Sequence, residues 1–124
     1  MYKILLADDE GIVIDSLKFI IEKNFPDSCI IESARTGRKV IELAESFRPD
    51  IAFLDIQMPD MDGCEVTKEI RKMDRPDSKV PIVALTSVKE ESEHQRALAA
   101  GMNDIVMKPL DIKELTGVIN GVYN

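Results

Sequence analysis

The sequence predicts an α/β fold: a doubly wound, five-stranded parallel sheet with five helices spread over both faces. Three observations predict it. Five short apolar runs alternate with five longer stretches of helical periodicity. The runs are rich in β-branched residues and short, as strands covered on both faces are. And alternation along a whole chain demands crossover connections, which make the strands parallel and put helices on both sides.

The first run, Ile4–Ala7, reads as a strand. It is followed by Val13, Leu17, Ile20 and Ile21 on one helical face. Ile12, Ile14 and Phe19 fall outside that stripe and are expected on the surface of the first helix. The second run is Cys29–Ile31, leading into a helix with Val40, Ala44 and Phe47 on its face and Ile41 beside them. The third is Ile51–Leu54, followed by Val66, Ile70 and Met73 at helical spacing. The fourth is Pro81–Leu85, leading into a helix over Glu90–Ala100 that Gly101 stops as a C′ residue. The fifth is Ile105–Met107, followed by Ile112, Leu115, Ile119 and Val122. Helix starts are marked by Ser87-x-x-Glu90, a capping box, and by Asp62-x-x-Glu65 and Asp111-x-x-Glu114, looser variants with Asp as the cap.

No repeat, low-complexity tract or linker interrupts this pattern, so residues 1–124 are expected to form one domain. A chain of 124 residues can bury a core without disulfides or a structural metal. The two cysteines, Cys29 and Cys64, form no C-x-x-C pair and read as reduced thiols of a cytoplasmic protein. Sixteen Lys and Arg against twenty-three Asp and Glu give a net charge of −7. That sign argues against direct binding to a nucleic-acid backbone or an anionic membrane. No apolar run is long enough for a membrane span, and the N-terminus lacks the form of a signal peptide.

In a parallel sheet the carboxyl ends of the strands form the functional edge. The first strand delivers Asp8 and Asp9, the third Asp55, the fourth Thr86 and Ser87, and the fifth Lys108 before Pro109. The second delivers Ser33 to Gly37, with no obvious reactive group. Alone, each has an ordinary explanation: a turn, a loop acid, a helix start. Their coincidence at one edge does not. Three carboxylates together are costly as anions unless something positive sits among them. Mg²⁺ suits one or two carboxylates and accepts phosphate oxygens in its remaining positions. Lys108 adds a fixed charge and Thr86 a hydroxyl, a set fit for phosphoryl transfer. An aspartate can itself be the nucleophile, forming an aspartyl-phosphate.

These residues resemble the receiver (CheY-like) domain of two-component response regulators. The matching positions are Asp8-Asp9-Glu10, Asp55 within Leu54-Asp55-Ile56-Gln57-Met58-Pro59-Asp60-Met61-Asp62-Gly63, Thr86-Ser87, and Lys108-Pro109-Leu110. The resemblance covers essentially the whole chain and implies the strand order 2-1-3-4-5. It implies that Asp55 is the phosphoacceptor, phosphorylated in a Mg²⁺-dependent reaction that the domain itself catalyses and slowly reverses. It also implies that Asp9 binds Mg²⁺ directly, Asp8 through water, and Asp55 and the Gln57 carbonyl with them. Lys108 pairs with Asp55 and then with the phosphoryl group, Thr86 hydrogen-bonds the phosphoryl oxygen, and the Lys108–Pro109 bond is cis. The implied partners are a sensor histidine kinase or phosphotransfer protein and a downstream effector or fused output domain. The family allows dimerisation of a monomer on phosphorylation, and no residue pattern here requires it. With the fifth helix running to the end of the chain, no output domain is expected within it. The chain reads either as a stand-alone regulator or as the receiver of a longer protein.

One position departs from the family pattern. Many receivers carry Tyr or Phe three residues before the lysine; here it is Ile105. An aromatic rotamer switch therefore cannot operate, and activation is expected to move the face of the fourth helix, fifth strand and fifth helix less conspicuously. Crystals of the free and beryllofluoride-bound protein check this; displacement of Ile105 and the fourth helix by several ångströms would contradict it. Gln57 and Val88, two residues beyond Asp55 and Thr86, are the positions where receivers tune hydrolysis. His94 reads as an exposed helix residue, and Met58 and Met61 as gap fillers. A haloacid-dehalogenase-type phosphatase needs Asp-x-Asp after the first strand, where this chain has Asp8-Asp9-Glu10. A nucleotide-binding module needs a glycine-rich phosphate loop, and neither G-x-G-x-x-G nor G-x-x-x-x-G-K-[ST] occurs. The third alternative is a degenerate receiver that only binds partners.

Overall fold

The computed structural model describes residues 2–73, 79–87 and 89–123. Among the described residues strands and helices alternate: β1 (Tyr2–Ala7), α1 (Gly11–Asn24), β2 (Cys29–Ala34), α2 (Gly37–Ser46), β3 (Ile51–Asp55), α3 (Gly63–Arg71), β4 (Ile82–Thr86), α4 (Glu91–Ala100), β5 (Asp104–Met107) and α5 (Ile112–Tyr123). The strands pair in parallel in the order β2-β1-β3-β4-β5. Both the sheet and its order match the expectation.

Side-chain alternation sorts the core into two layers. Ile4, Leu6, Ile51, Phe53, Val83 and Leu85 face Leu17 and Ile21 of α1 and Leu115 and Ile119 of α5. Leu5, Ala7, Ala52, Leu54, Ile82 and Ala84 face the other way, against Val40, Val66, Ile70 and Ala97 of α2, α3 and α4. β3 and β4 are buried along their whole length. The edge strands are not: β2 alternates between exposed and half-buried residues, and Ile30 is exposed. An edge strand has a neighbour on one side only, so continuous burial holds for the central strands alone.

The helix termini refine the sequence reading. Asp62 accepts from the Glu65 amide (2.9 Å) and Asp111 from the Lys113 (2.8 Å) and Glu114 (3.3 Å) amides, as the capping patterns predict. Thr36, not anticipated, caps α2 through the Lys39 amide at 3.2 Å. Ser87 is not a cap. It ends at the site edge beyond β4, and α4 begins at Glu91 with Glu90 at its N-cap and no side-chain capping bond. Gly101 closes α4 in the left-handed region (φ 112°), where glycine carries no Cβ penalty.

Two apolar positions and one histidine also differ from the expectation. Ile14 is buried, because it sits three residues before Leu17 and seven before Ile21 on the sheet-facing stripe. Ile112, the first residue of α5, is exposed, while Leu115 and Ile119 of the same helix are buried. His94 is half-buried rather than exposed. Val88 lies outside the described residues, as does the side chain of Val122.

Candidate functional site

β1 lies beside β3, and the connection leaving β1 runs outward to β2 while that leaving β3 runs the other way to β4. The crevice where this happens is the switch point at which open α/β sheets bind ligands. Strand register brings the relevant residues to it. Ala7 pairs with Leu54, Asp55 with Leu85, and Thr86 with Met107. Asp8 and Lys108 follow directly from β1 and β5. The Lys108 amide donates to the Thr86 carbonyl at 2.8 Å, and the Ile56 amide to the Leu85 carbonyl at 3.2 Å. The Lys108–Pro109 peptide is cis, as expected.

The site is a polar cavity of about 250 Å³ lined by Asp9, Glu10, Asp55, Gln57, Thr86, Ser87 and Lys108. Asp8, Asp55 and Thr86 are buried; Asp9, Glu10 and Gln57 are exposed at the rim. Lys108 Nζ lies 2.7 Å from Asp8 Oδ2 and 3.7 Å from Asp55 Oδ2. The expected Lys108–Asp55 pair therefore exists, but the tighter partner is Asp8. This follows from burial: Asp8 is fully enclosed, so its charge has the greater need of a counter-ion. Asp8 Oδ1 accepts from the Glu10 amide at 2.9 Å, and Asp55 Oδ1 from the Gln57 amide at 3.1 Å.

Burial pushes the Asp55 carboxyl up to about 7. The Asp8 charge adds to the rise, while the Gln57 amide and Lys108 oppose it. Burial pulls Lys108 down, yet its hydrogen bond to Asp8 and the charges of Asp55 and Asp8 leave it above its usual value. The site thus holds a fixed cation beside an Asp55 carboxyl that burial keeps from ionising readily.

The donor set fits a hard divalent cation. Carboxylate oxygens of Asp8, Asp9 and Glu10 lie within 4.8 Å of one another, beside a cavity that Asp55 and Gln57 also line. Glu10 was not among the metal ligands expected from sequence. Its place at the end of the Asp8-Asp9-Glu10 run was the available signal. The region around Asp55 is tightly constrained. A Cβ at Gly63 would stand 2.6 Å from the Asp55 carbonyl oxygen, so only glycine lets α3 start this close to the Asp55 backbone.

The other strand ends contribute support rather than reactive groups. Arg35, just past β2, donates two hydrogen bonds to the Asp9 carbonyl, at 2.9 Å from Nε and 2.6 Å from Nη2. Beside the acidic cavity lies a second, apolar groove of about 300 Å³. Ile12, Val13 and Ile20 of α1 line it together with Lys108, Pro109 and Leu110, and Lys108 lines both. On α1, Ile12 is 73% and Phe19 67% exposed.

Comparison with known proteins agrees with this geometry. The family model for the response regulator receiver domain matches residues 4–120. An uncharacterized 14.6 kDa protein of Leptolyngbya boryana is 32% identical over 116 residues, covering 94% of this chain and 86% of that protein. Response regulator protein VraR of Staphylococcus saprophyticus is 32% identical over 122 residues, covering 98% of this chain and 56% of that protein. The chain spans about half the length of the curated response regulators it matches. Among solved structures, the receiver domain of sensor histidine kinase PA1611 from Pseudomonas aeruginosa, with a magnesium ion coordinated in its active-site cleft, superposes with a TM-score of 0.88. The two are 27% identical, and the match covers 99% of this chain and 98% of that one. Since the family model spans nearly the whole chain and the strand order and crevice agree with it, the chain belongs to the response regulator receiver domain family.

Proposed function

We propose that residues 1–124 act as one cytoplasmic receiver domain that takes a phosphoryl group onto Asp55 and changes its partner-binding surface in response. The observation that carries this reading is the buried Asp55 carboxyl in an oxygen-lined cavity, with Lys108 Nζ 3.7 Å away. An Asp55 oxygen attacks phosphorus; the new O–P bond forms as the N–P bond of a phosphohistidine or phosphoramidate, or the acyl O–P bond of acetyl phosphate, breaks. A departing nitrogen keeps the bonding pair and takes a proton from solvent, whereas acetyl phosphate releases acetate. Lys108 offers charge to the transferred oxygens, and Thr86, at the end of β4, offers its hydroxyl. Asp9, Asp55 and the Gln57 carbonyl, with Asp8 through water, are the groups that would hold Mg²⁺, and the Glu10 carboxylate lies beside Asp8 and Asp9. When bound, the ion neutralises charge accumulating on the phosphoryl oxygens.

Incubation with phosphoramidate or acetyl phosphate and Mg²⁺, followed by hydroxylamine trapping, tests the reading. One stoichiometric acyl-phosphate is expected, lost in Asp55→Asn. Continuous turnover that depends on Asp8 would instead identify a phosphatase, and no acyl-phosphate at all a degenerate receiver.

The partner that donates the phosphoryl group is a histidine kinase or phosphotransfer protein. The apolar groove supports a docking place for it, because Lys108 joins the groove to the cavity and exposed Ile12 and Phe19 lie on the same helix. Ile12→Asp combined with Phe19→Asp is expected to slow transfer from a cognate protein donor at least tenfold and leave acetyl phosphate labelling unchanged. Equal slowing of both would remove the docking role.

A further inference from the structure

We propose that Arg35 is a positioning residue for the metal-binding loop, holding Asp9 in ligating position from the end of β2. The inference rests on the magnesium reading above. It arises from a residue outside the motifs that carry the family resemblance.

The loop Asp8-Asp9-Glu10 joins β1 to α1 and holds the three clustered carboxylates. Its first residue is anchored twice. The Asp8 amide donates to the Ala34 carbonyl (3.2 Å), and the Asp8 side chain binds Lys108 and the Glu10 amide. Asp9 is exposed, and an exposed acidic side chain between two like charges tends to swing away from them. Arg35 counters this through the backbone. Two bonds, 2.9 and 2.6 Å, go from its guanidinium to the Asp9 carbonyl oxygen rather than to the Asp9 carboxylate. A planar guanidinium donating twice to one oxygen defines an approach plane that a flexible ammonium cannot. It therefore fixes the peptide that carries Asp9 and leaves the Asp9 carboxylate open to the cavity it lines.

A second observation supports the same role. Gly11 opens α1, and a Cβ there would stand 3.2 Å from Arg35 Nη1. The helix start thus leaves room for the guanidinium at the point where a larger residue would press on it. Arg35 also brings a positive charge beside three acids, which alone would oppose a cation. A charge-preserving substitution separates that effect from positioning.

The experiment is calorimetric titration of the full chain with MgCl₂, paired with melting curves in EDTA. Arg35→Lys keeps the charge and loses the fork; it is expected to weaken Mg²⁺ binding about 3- to 10-fold, as for one lost hydrogen bond of ordinary net strength. Its melting temperature in EDTA should stay within about 2 °C of wild type, as for an exposed substitution. Gly11→Val, which presses on the guanidinium, should weaken binding similarly. The double variant should be no weaker than either single one, because both remove the same contact. Wild-type affinity in Arg35→Lys overturns the proposal, as do additive losses in the double variant. A parallel fall in EDTA melting temperature also overturns it, by showing a general structural role. If wild type itself binds no Mg²⁺, the magnesium reading fails first and this inference falls with it.

Discussion

Asp55→Asn will melt at a higher temperature than wild type at pH 8 in EDTA, and the difference will vanish near pH 3. The cause is the cost of ionising a buried carboxyl. In the folded chain Asp55 is pushed up to about 7 from an ordinary value of 3.8, chiefly by burial and then by the charge of Asp8. Its folded-state affinity for a proton exceeds its unfolded-state affinity. Stability from this group is therefore fully present below about pH 4 and is lost as pH rises through about 7. At pH 8 the loss is on the order of 4 kcal/mol, the free-energy equivalent of that shift. Asparagine is nearly isosteric and cannot ionise, so it escapes the loss. Differential scanning calorimetry from pH 3 to pH 8 measures the effect. A wild-type curve parallel to that of Asp55→Asn across this range would refute it. The same substitution should abolish acyl-phosphate formation, so stability and activity move in opposite directions.

Lys108→Met moves stability the other way. Lys108 Nζ is the 2.7 Å partner of Asp8, whose side chain is wholly shielded from solvent. Methionine preserves much of the aliphatic stem but removes the cation, leaving a buried carboxylate without its counter-ion. Breaking a buried pair from one side costs more than the pair contributes, because the remaining charge stays desolvated. A loss of about 2–4 kcal/mol at pH 7 is expected, read by urea denaturation in EDTA. Excess Mg²⁺ should recover part of it by binding the folded state alone, worth about 2.7 kcal/mol at a hundredfold excess over the dissociation constant. The magnesium-dependent gain should be larger in Lys108→Met than in wild type, since the ion would then be the only cation beside Asp8. An equal gain in both proteins would show that Lys108 and the metal do not share the same carboxylates. Asp55 and Lys108 thus sit 3.7 Å apart yet have opposite effects on stability when replaced. One is an anion the fold would rather not hold, and the other is the cation that makes the anions tolerable.

Which residues reach the site was legible in the chain because a parallel sheet converts sequence position into spatial position. Once Ile4–Ala7, Ile51–Leu54, Pro81–Leu85 and Ile105–Met107 were read as strands, Asp8, Asp55, Thr86 and Lys108 had to leave from one edge. The cavity lining confirms that Asp9, Asp55, Gln57, Thr86 and Lys108 share it. Arg35 and Glu10 were less visible for different reasons. Arg35 acts through a side chain that crosses to a loop 26 positions away. Glu10 was within the family motif, but whether its carboxylate turns toward Asp8 and Asp9 depends on how the loop enters α1.

The two misplaced apolar residues carry the same lesson. Ile14 and Ile112 have equal hydrophobicity and opposite burial: one shares a buried stripe with Leu17 and Ile21, and the other is the first residue of its helix. Periodicity, capping residues and alternation are local, and they alone sufficed for the element order, the parallel sheet and the gathering of acids at one end. Pairing was not local. That Lys108 sits closer to Asp8 than to Asp55, and that Asp55 is driven up toward neutrality, follows from which groups end up enclosed together. Desolvation and Coulomb energy depend on distances through space, and those exist only once the chain has folded.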